Sequence, residues 1–273
     1  MTDPQSLPGL YQPALHLVYA SAELPTPSKT TLAARISPID TQDAVSIEWT
    51  QQDPQRCLGK VSLGEHVLLI VGMAAPLPQD ITDQTIMVSP WGVQIKAAMR
   101  QNRAHLSLFY GGGHPNPIER MVALYSLASA FENEDLLGIV NINAWTAHPP
   151  ADFLSPHRIS QYRQEIPFNL WFGYVRFYMD DHSYWLTTKG HHLFDVPDLA
   201  YFVQPDQDEE AVINLFINIF NYLYEEDVVA VPGDTLEMRS SGQKLRFSEV
   251  TELTDVLMGP SGTLVITTDS ADS

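Results

Sequence analysis

Four short constellations hold the residue types that phosphate binding, metal binding or nucleophilic catalysis would need. Gly111-Gly112-Gly113-His114-Pro115 lies between an apolar strand-like run and a helix start. Consecutive glycines bare their backbone N–H groups, and a helix N-terminus adds positive potential. Gly111, Gly112 and Gly113 are therefore candidates for holding an anion or a small phosphorylated ligand. No Lys-Ser or Lys-Thr follows, and the spacing is not the dinucleotide fingerprint, so the plainer reading is a connector. His191-His192 stand close to Asp195 and Asp198, all of them metal-ligand types. Neighbours in an extended segment point to opposite faces, however, and there is no H-E-x-x-H pattern. Cys57 is the one cysteine. It sits beside Arg56 but away from any expected helix start that would activate it. Asp180-Asp181-His182 is a polar triplet of the kind hairpin turns select. With no G-x-S-x-G elbow either, the sequence assigns no catalytic residue, no metal and no cofactor.

Charge says more than these motifs do. Among 273 residues, 33 are acidic and 15 are Lys or Arg, a formal net charge of −18. Such a field repels nucleic-acid backbones and anionic membranes and steers cationic partners inward. The acidity is concentrated. From residue 190 to 238 there are eleven acidic residues and no Lys or Arg. A single cysteine rules out an intrachain disulfide and a four-cysteine zinc site, and fits a reducing compartment. Met1-Thr2-Asp3-Pro4-Gln5 has neither the basic start nor the apolar run of a signal peptide, and no apolar run is long enough to span a bilayer. A cytoplasmic location is the expectation.

The elements that must position these residues alternate between strand and helix. Residues 15–19, 44–49, 66–73, 104–110 and 137–142 read as strands, and residues 28–36 as a short helix. Ser89-Pro90 has the form of a helix start, with Ser as N-cap and Pro after it. Asn116, Pro117 and Glu119 have capping-box spacing for another helix. The order β-α-β-β-α-β, with an extra helix and strand, predicts a ferredoxin-like first lobe over residues 1–147. A linker rich in Pro and His over 148–167 and a second lobe over 168–273 complete an α+β chain, with a frayed tail from 269. The second lobe is expected to be an antiparallel sheet with one long apolar helix over 208–226, started by Asp206 and Glu209. In that helix Asn214, Asn218 and Asn221 form a narrow polar stripe and nearly everything else is apolar. It therefore calls for cover on two sides.

The string Leu186-Thr187-Thr188-Lys189-Gly190, followed by Phe194, Pro197, Asp198, Leu199 and, after a helix, Pro232-Gly233-Asp234-Thr235, resembles the bacterial domain-of-unknown-function family numbered 4261. That family's pattern has Gly where Asp195 stands and Glu where Asp198 stands. The resemblance covers about residues 168–250, and most of the matching residues are turn formers that specify a fold better than a chemistry. It implies a bacterial, cytosolic α+β domain without an established activity. Some members lie in gene settings suggestive of toxin immunity or secretion.

The reading that follows is a non-catalytic protein that binds a basic protein partner, of immunity or adaptor type. Asp206, Asp208, Glu209, Glu210, Glu225, Glu226 and Asp227 would attract that partner, and Tyr201, Tyr222 and Tyr224 would anchor it. No nucleic acid and no membrane is expected. Two alternatives stand beside it: an enzyme or regulator holding a phosphorylated ligand at 111–115, and a homo-oligomeric scaffold, a homodimer being the simplest form.

Overall fold

The computed structural model describes residues 12–36, 45–151, 153–238 and 242–268. The start of the chain, Ser240-Ser241 and the tail from 269 lie outside the described residues. The chain is α+β and divides between Trp171 and Phe172 into two units. The stretch 148–167, expected to be a linker, belongs to the first of them. It carries its own anchors: Ile159 is fully buried, and the Tyr162 ring packs edge-on against Tyr125 and Trp171.

The first unit is built on β1 (Ala14–Tyr19), α1 (Lys29–Ile36), β2 (Val45–Gln52), β3 (Arg56–Leu63), β4 (His66–Met73), α2 (Gln79–Val88), α3 (Val93–Arg100), β5 (Ala104–Gly112), α4 (Pro117–Ala130), β6 (Leu136–Asn141), β7 (Thr146–His148), α5 (Pro156–Gln161) and α6 (Phe168–Trp171). Its seven strands lie in the order β2-β3-β4-β5-β1-β6-β7, every neighbouring pair antiparallel. The ferredoxin-like expectation is corrected here. That fold sets its first strand between its third and fourth, with neighbours antiparallel, whereas here β2, β3, β4 and β5 lie side by side in chain order and β1 joins outside them, between β5 and β6. Ser89 does not start a helix. Its hydroxyl donates to the Ile86 carbonyl at 2.7 Å and closes the end of α2. Asn116 does cap α4, accepting from the Ile118 N–H at 2.8 Å. Glu119, expected in a capping box, instead takes the Arg163 guanidinium at 2.9 Å.

The helix buried on nearly all sides is α4, enclosed without a break from Met121 to Ala130. Small residues let neighbours approach closely there. The hydroxyls of Ser126 and Ser129 donate to carbonyls one turn back, so the helix can be enclosed without an unpaired hydroxyl.

The second unit holds β8 (Gly173–Tyr178), β9 (Tyr184–Lys189), a 3-10 turn (His191–Phe194), β10 (Asp198–Val203), α7 (Glu209–Glu225), β11 (Thr235–Glu237), β12 (Lys244–Ser248), α8 (Thr254–Leu257) and β13 (Thr263–Thr268). The sheet order is β11-β12-β13-β10-β9-β8. It is mixed rather than purely antiparallel, because the crossover through α7 returns the chain to pair β13 parallel to β10. The β8–β9 turn forms as its residues suggest: the Asp180 carboxylate accepts from the N–H groups of His182 and Ser183 and from the Ser183 hydroxyl.

The long helix α7 is not apolar all round. Val212, Phe216, Ile219, Phe220 and Leu223 form one buried stripe at helical spacing, while Ala211, Asn214, Asn218, Tyr222 and Glu225 are exposed. Ile213, Leu215 and Ile217 flank the stripe half-buried. One packed side therefore accounts for the helix, and two-sided cover is unnecessary.

Candidate functional site

The two ends of α7 carry the acidic residues that the sequence singles out. Seventeen residues at 1.5 Å rise separate these ends by about 25 Å. They therefore form two places rather than one surface.

At the N-terminal end the carboxylates have local work. Asp208, not Asp206, is the N-cap, accepting from the Glu210 N–H at 3.0 Å. Glu209 receives a two-pronged bond from Arg176 on β8 and the Tyr184 hydroxyl on β9. The Arg176 bond, helped by the Tyr184 bond, holds the Glu209 carboxyl below its usual range, against the opposing effect of burial. A carboxyl with a lowered native pKa adds stability above its ordinary range and loses it as pH falls through the lowered value. Both partners keep water contact, so Glu209→Gln is expected to cost only about 0.5–1 kcal/mol at neutral pH and to remove part of the acid sensitivity, read from urea melts at several pH values. Asp206 and Glu210 are exposed. Tyr201 is half-buried, its hydroxyl accepting from the Gln207 side chain at 3.0 Å.

The C-terminal end is different. Glu225, Glu226 and Asp227 are all exposed, and no side-chain hydrogen bond or ion pair engages them among the described residues. No base lies in the last turn. A helix C-terminus concentrates partial negative charge, so three carboxylates there raise the energy of the free protein. Asp227 takes the left-handed conformation (φ 52°) that ends the helix, and the Val228 N–H turns back to the Leu223 carbonyl at 3.0 Å. The chain then runs out with Val229 84% and Val231 50% exposed. The Pro232-Gly233-Asp234 turn closes over this end, its Asp234 carboxylate accepting from the Val231 N–H at 2.9 Å. Between helix end and turn lies a groove of about 340 Å³ lined by Tyr222, Leu223, Val228, Ala230, residues 233–236 and Phe247. Of the three tyrosines proposed as anchors, only Tyr222 is exposed. Tyr224 is half-buried, stacked on Phe220 and edge-on to Phe194.

Beneath these surfaces is a buried polar cluster. Thr187, Thr188, Lys189, His191, His192 and Asp198 are all nearly sealed from water. Asp198 Oδ1 accepts from the His191 N–H at 3.2 Å and the Thr188 hydroxyl at 3.4 Å, and Oδ2 lies 3.8 Å from His192 Nδ1. Lys189 Nζ donates to the carbonyls of Val256 and Leu257, each at 3.0 Å. Burial lowers the Lys189 pKa and Asp198 opposes that shift. His191 is held near 4, chiefly by burial. Gly190 (φ 108°) starts the 3-10 turn, so the adjacent histidines do not sit in an extended segment. No group of three or more His, Cys, Asp or Glu is placed to hold a metal among the described residues. The cluster clamps the 249–262 segment to β9 and β10. The signal for it was the polar string 187–189 inside an otherwise apolar strand.

At the glycine-rich loop, a Cβ on Gly113 (φ 112°) would run into the Glu65 carbonyl. The N–H groups of His114, Asn116 and Ile118 donate to the Tyr110 hydroxyl, His114 Nδ1 and the Asn116 side chain. Those three donors are thus spent within the loop. Cys57 is buried, and burial pushes its thiol up to about 11. It is an inert thiol.

Residues 187–267 match the family described as Domain of unknown function (DUF4261). The matched span holds the buried cluster, α7 and the groove. No curated protein and no solved structure matches the chain. No helix among the described residues is long and apolar enough to cross a membrane.

Proposed function

We propose that this chain is a non-catalytic binding protein whose C-terminal unit engages a basic protein partner at the C-terminal end of α7. The observation that carries the reading is the placement of Glu225, Glu226 and Asp227. These carboxylates stand at the electrostatically unfavourable end of a helix, with no basic residue in its last turn, beside a groove and two exposed valines. A Lys or Arg side chain from a partner would relieve that repulsion, and Tyr222 at the groove mouth would supply an amphipathic contact. Asp206 and Glu210 lie about 25 Å away and act by long-range attraction. In this reading the protein is an immunity or adaptor protein of a bacterial cytoplasm.

Affinity purification from the native cell is the test. The expected catch is a protein with an excess of Lys and Arg. Its association rate should fall as salt rises through the range where the screening length reaches about 8 Å, while dissociation changes little. A catch that is acidic, or a salt effect carried mainly by dissociation, would contradict this division between steering charges and anchoring contact.

A further inference from the structure

Among the described residues, one face of the first unit's sheet is exposed over three of its seven strands. On β1, β6 and β7 that face is covered by α2 and α3, where Val18, Leu77, Ile86, Met99, Val140 and Ala147 pack together. On β3, β4 and β5 the same face presents Leu58, Leu69, Val71, Met73 and Phe109, between 36% and 46% exposed. The strand register makes them contiguous. Leu58 lies opposite Val71, and Leu69 opposite Phe109. Met73 is two residues from Val71 on the same face. Five large apolar side chains on three adjacent hydrogen-bonded strands form a patch, not scattered exposure. The strands' other faces are the sealed core, with Val61, Leu68, Ile70, Leu106 and Leu108 almost wholly buried. The alternation therefore puts apolar residues on both faces of β4, as in a strand covered on both sides.

We infer that this face packs against the same face of a second copy of the chain. Charge argues for that occupant. The patch is bordered on β2 and β3 by Arg56, Lys60 and Glu48, with Glu48 directly opposite Lys60. A basic partner of the kind proposed for α7 would meet Arg56 and Lys60. A nucleic acid would meet a mainly apolar surface on a protein of net charge −18. A two-fold contact sets a patch against itself, and here it brings apolar centre to apolar centre and a border carrying both signs to its own copy. Two sheets in such a contact pack face to face about 10 Å apart.

Sedimentation velocity over a range of protein concentrations tests this on the full chain. Wild type is expected to sediment as a dimer that dissociates on dilution. Leu69→Glu with Phe109→Glu should leave a monomer with unchanged circular dichroism. Val93→Glu, at a position 84% exposed on α3, should leave the dimer intact. Should the double variant fail to fold, Leu69→Cys serves instead: Cys57 is buried, so oxidation is expected to give a cross-linked dimer through the new thiol, which the same change at Val93 does not. A wild-type monomer at every concentration, a dimer that survives the folded double variant, or equal cross-linking at both cysteine positions would overturn the inference.

Discussion

Replacing Asp198 by alanine is expected to cost the C-terminal unit about 3–5 kcal/mol, the range for removing one partner of a buried charged set. The side chain is fully sealed, and its loss frees the His191 N–H and leaves buried Lys189 without the opposing charge that supports its protonated form. Asn at the same position keeps an acceptor and the volume, so its cost should be smaller. Gly259 gives an independent handle. A Cβ there would overlap Asp198 Oδ2, so Gly259→Ala should also destabilise. In the double variant Asp198→Ala/Gly259→Ala the vacated space admits the new methyl, and the two costs should fall short of adding. Urea denaturation of the four proteins measures this. Strict additivity would mean that the carboxylate and the glycine do not share that space.

Mild acid is expected to destabilise the N-terminal unit before most of its carboxylates titrate. His148 is buried among the rings of Trp91 and Phe153, and neither ring nitrogen has a hydrogen-bond partner among the described residues. Burial lowers it from 6.5 to about 4. His16 is lowered to about 4 as well, by burial and then by His105. Both native pKa values lie below the unfolded one. The unfolded chain therefore takes up protons that the native unit refuses, and stability is full above pH 6.5 and falls until about pH 4. Each histidine contributes roughly 3 kcal/mol over that window, large against a total stability of about 5–15 kcal/mol. His148→Leu should flatten the pH dependence of the melting temperature over the same interval. A melting temperature independent of pH there, or an undiminished slope in His148→Leu, would show that these rings are protonated in the native state.

What the sequence made legible was local chemistry. Asn116 with Pro117 announces a helix start because cap and helix are neighbours in the chain. The Asp180–Ser183 turn and the match over 187–267 were readable for the same reason. Ser89-Pro90 misled because a hydroxyl can close one helix as readily as open the next. Strand β3 was lost between Arg56 and Leu63, where Gly59 interrupts the apolar pattern on the core face and Lys60 on the open face. The ferredoxin-like reading failed on strand order, a non-local property: only the pairing of β1 with β5 and β6, outside the run from β2 to β5, reveals it. Apolar composition also overstated α7, where Ile213, Leu215 and Ile217 flank a single packed stripe, and understated α4, where alanine and serine allow complete enclosure. The candidate site was legible as charge. The division of labour within it was not, because Arg176, the partner of Glu209, lies 33 residues away in sequence.

The most direct test of the binding account compares charge reversal at the two ends of α7. The captured partner's dissociation constant would be measured by calorimetry with Glu225→Lys/Glu226→Lys/Asp227→Lys and, separately, with Asp206→Lys/Glu210→Lys. Both variants leave the Asp208 cap and the Arg176–Glu209 pair in place. The account predicts a loss of at least about a hundredfold for the first, in keeping with like charges set against each other in a contact, and only a few-fold, salt-sensitive change for the second. Equal effects at both ends, or none at the C-terminal end, would contradict it.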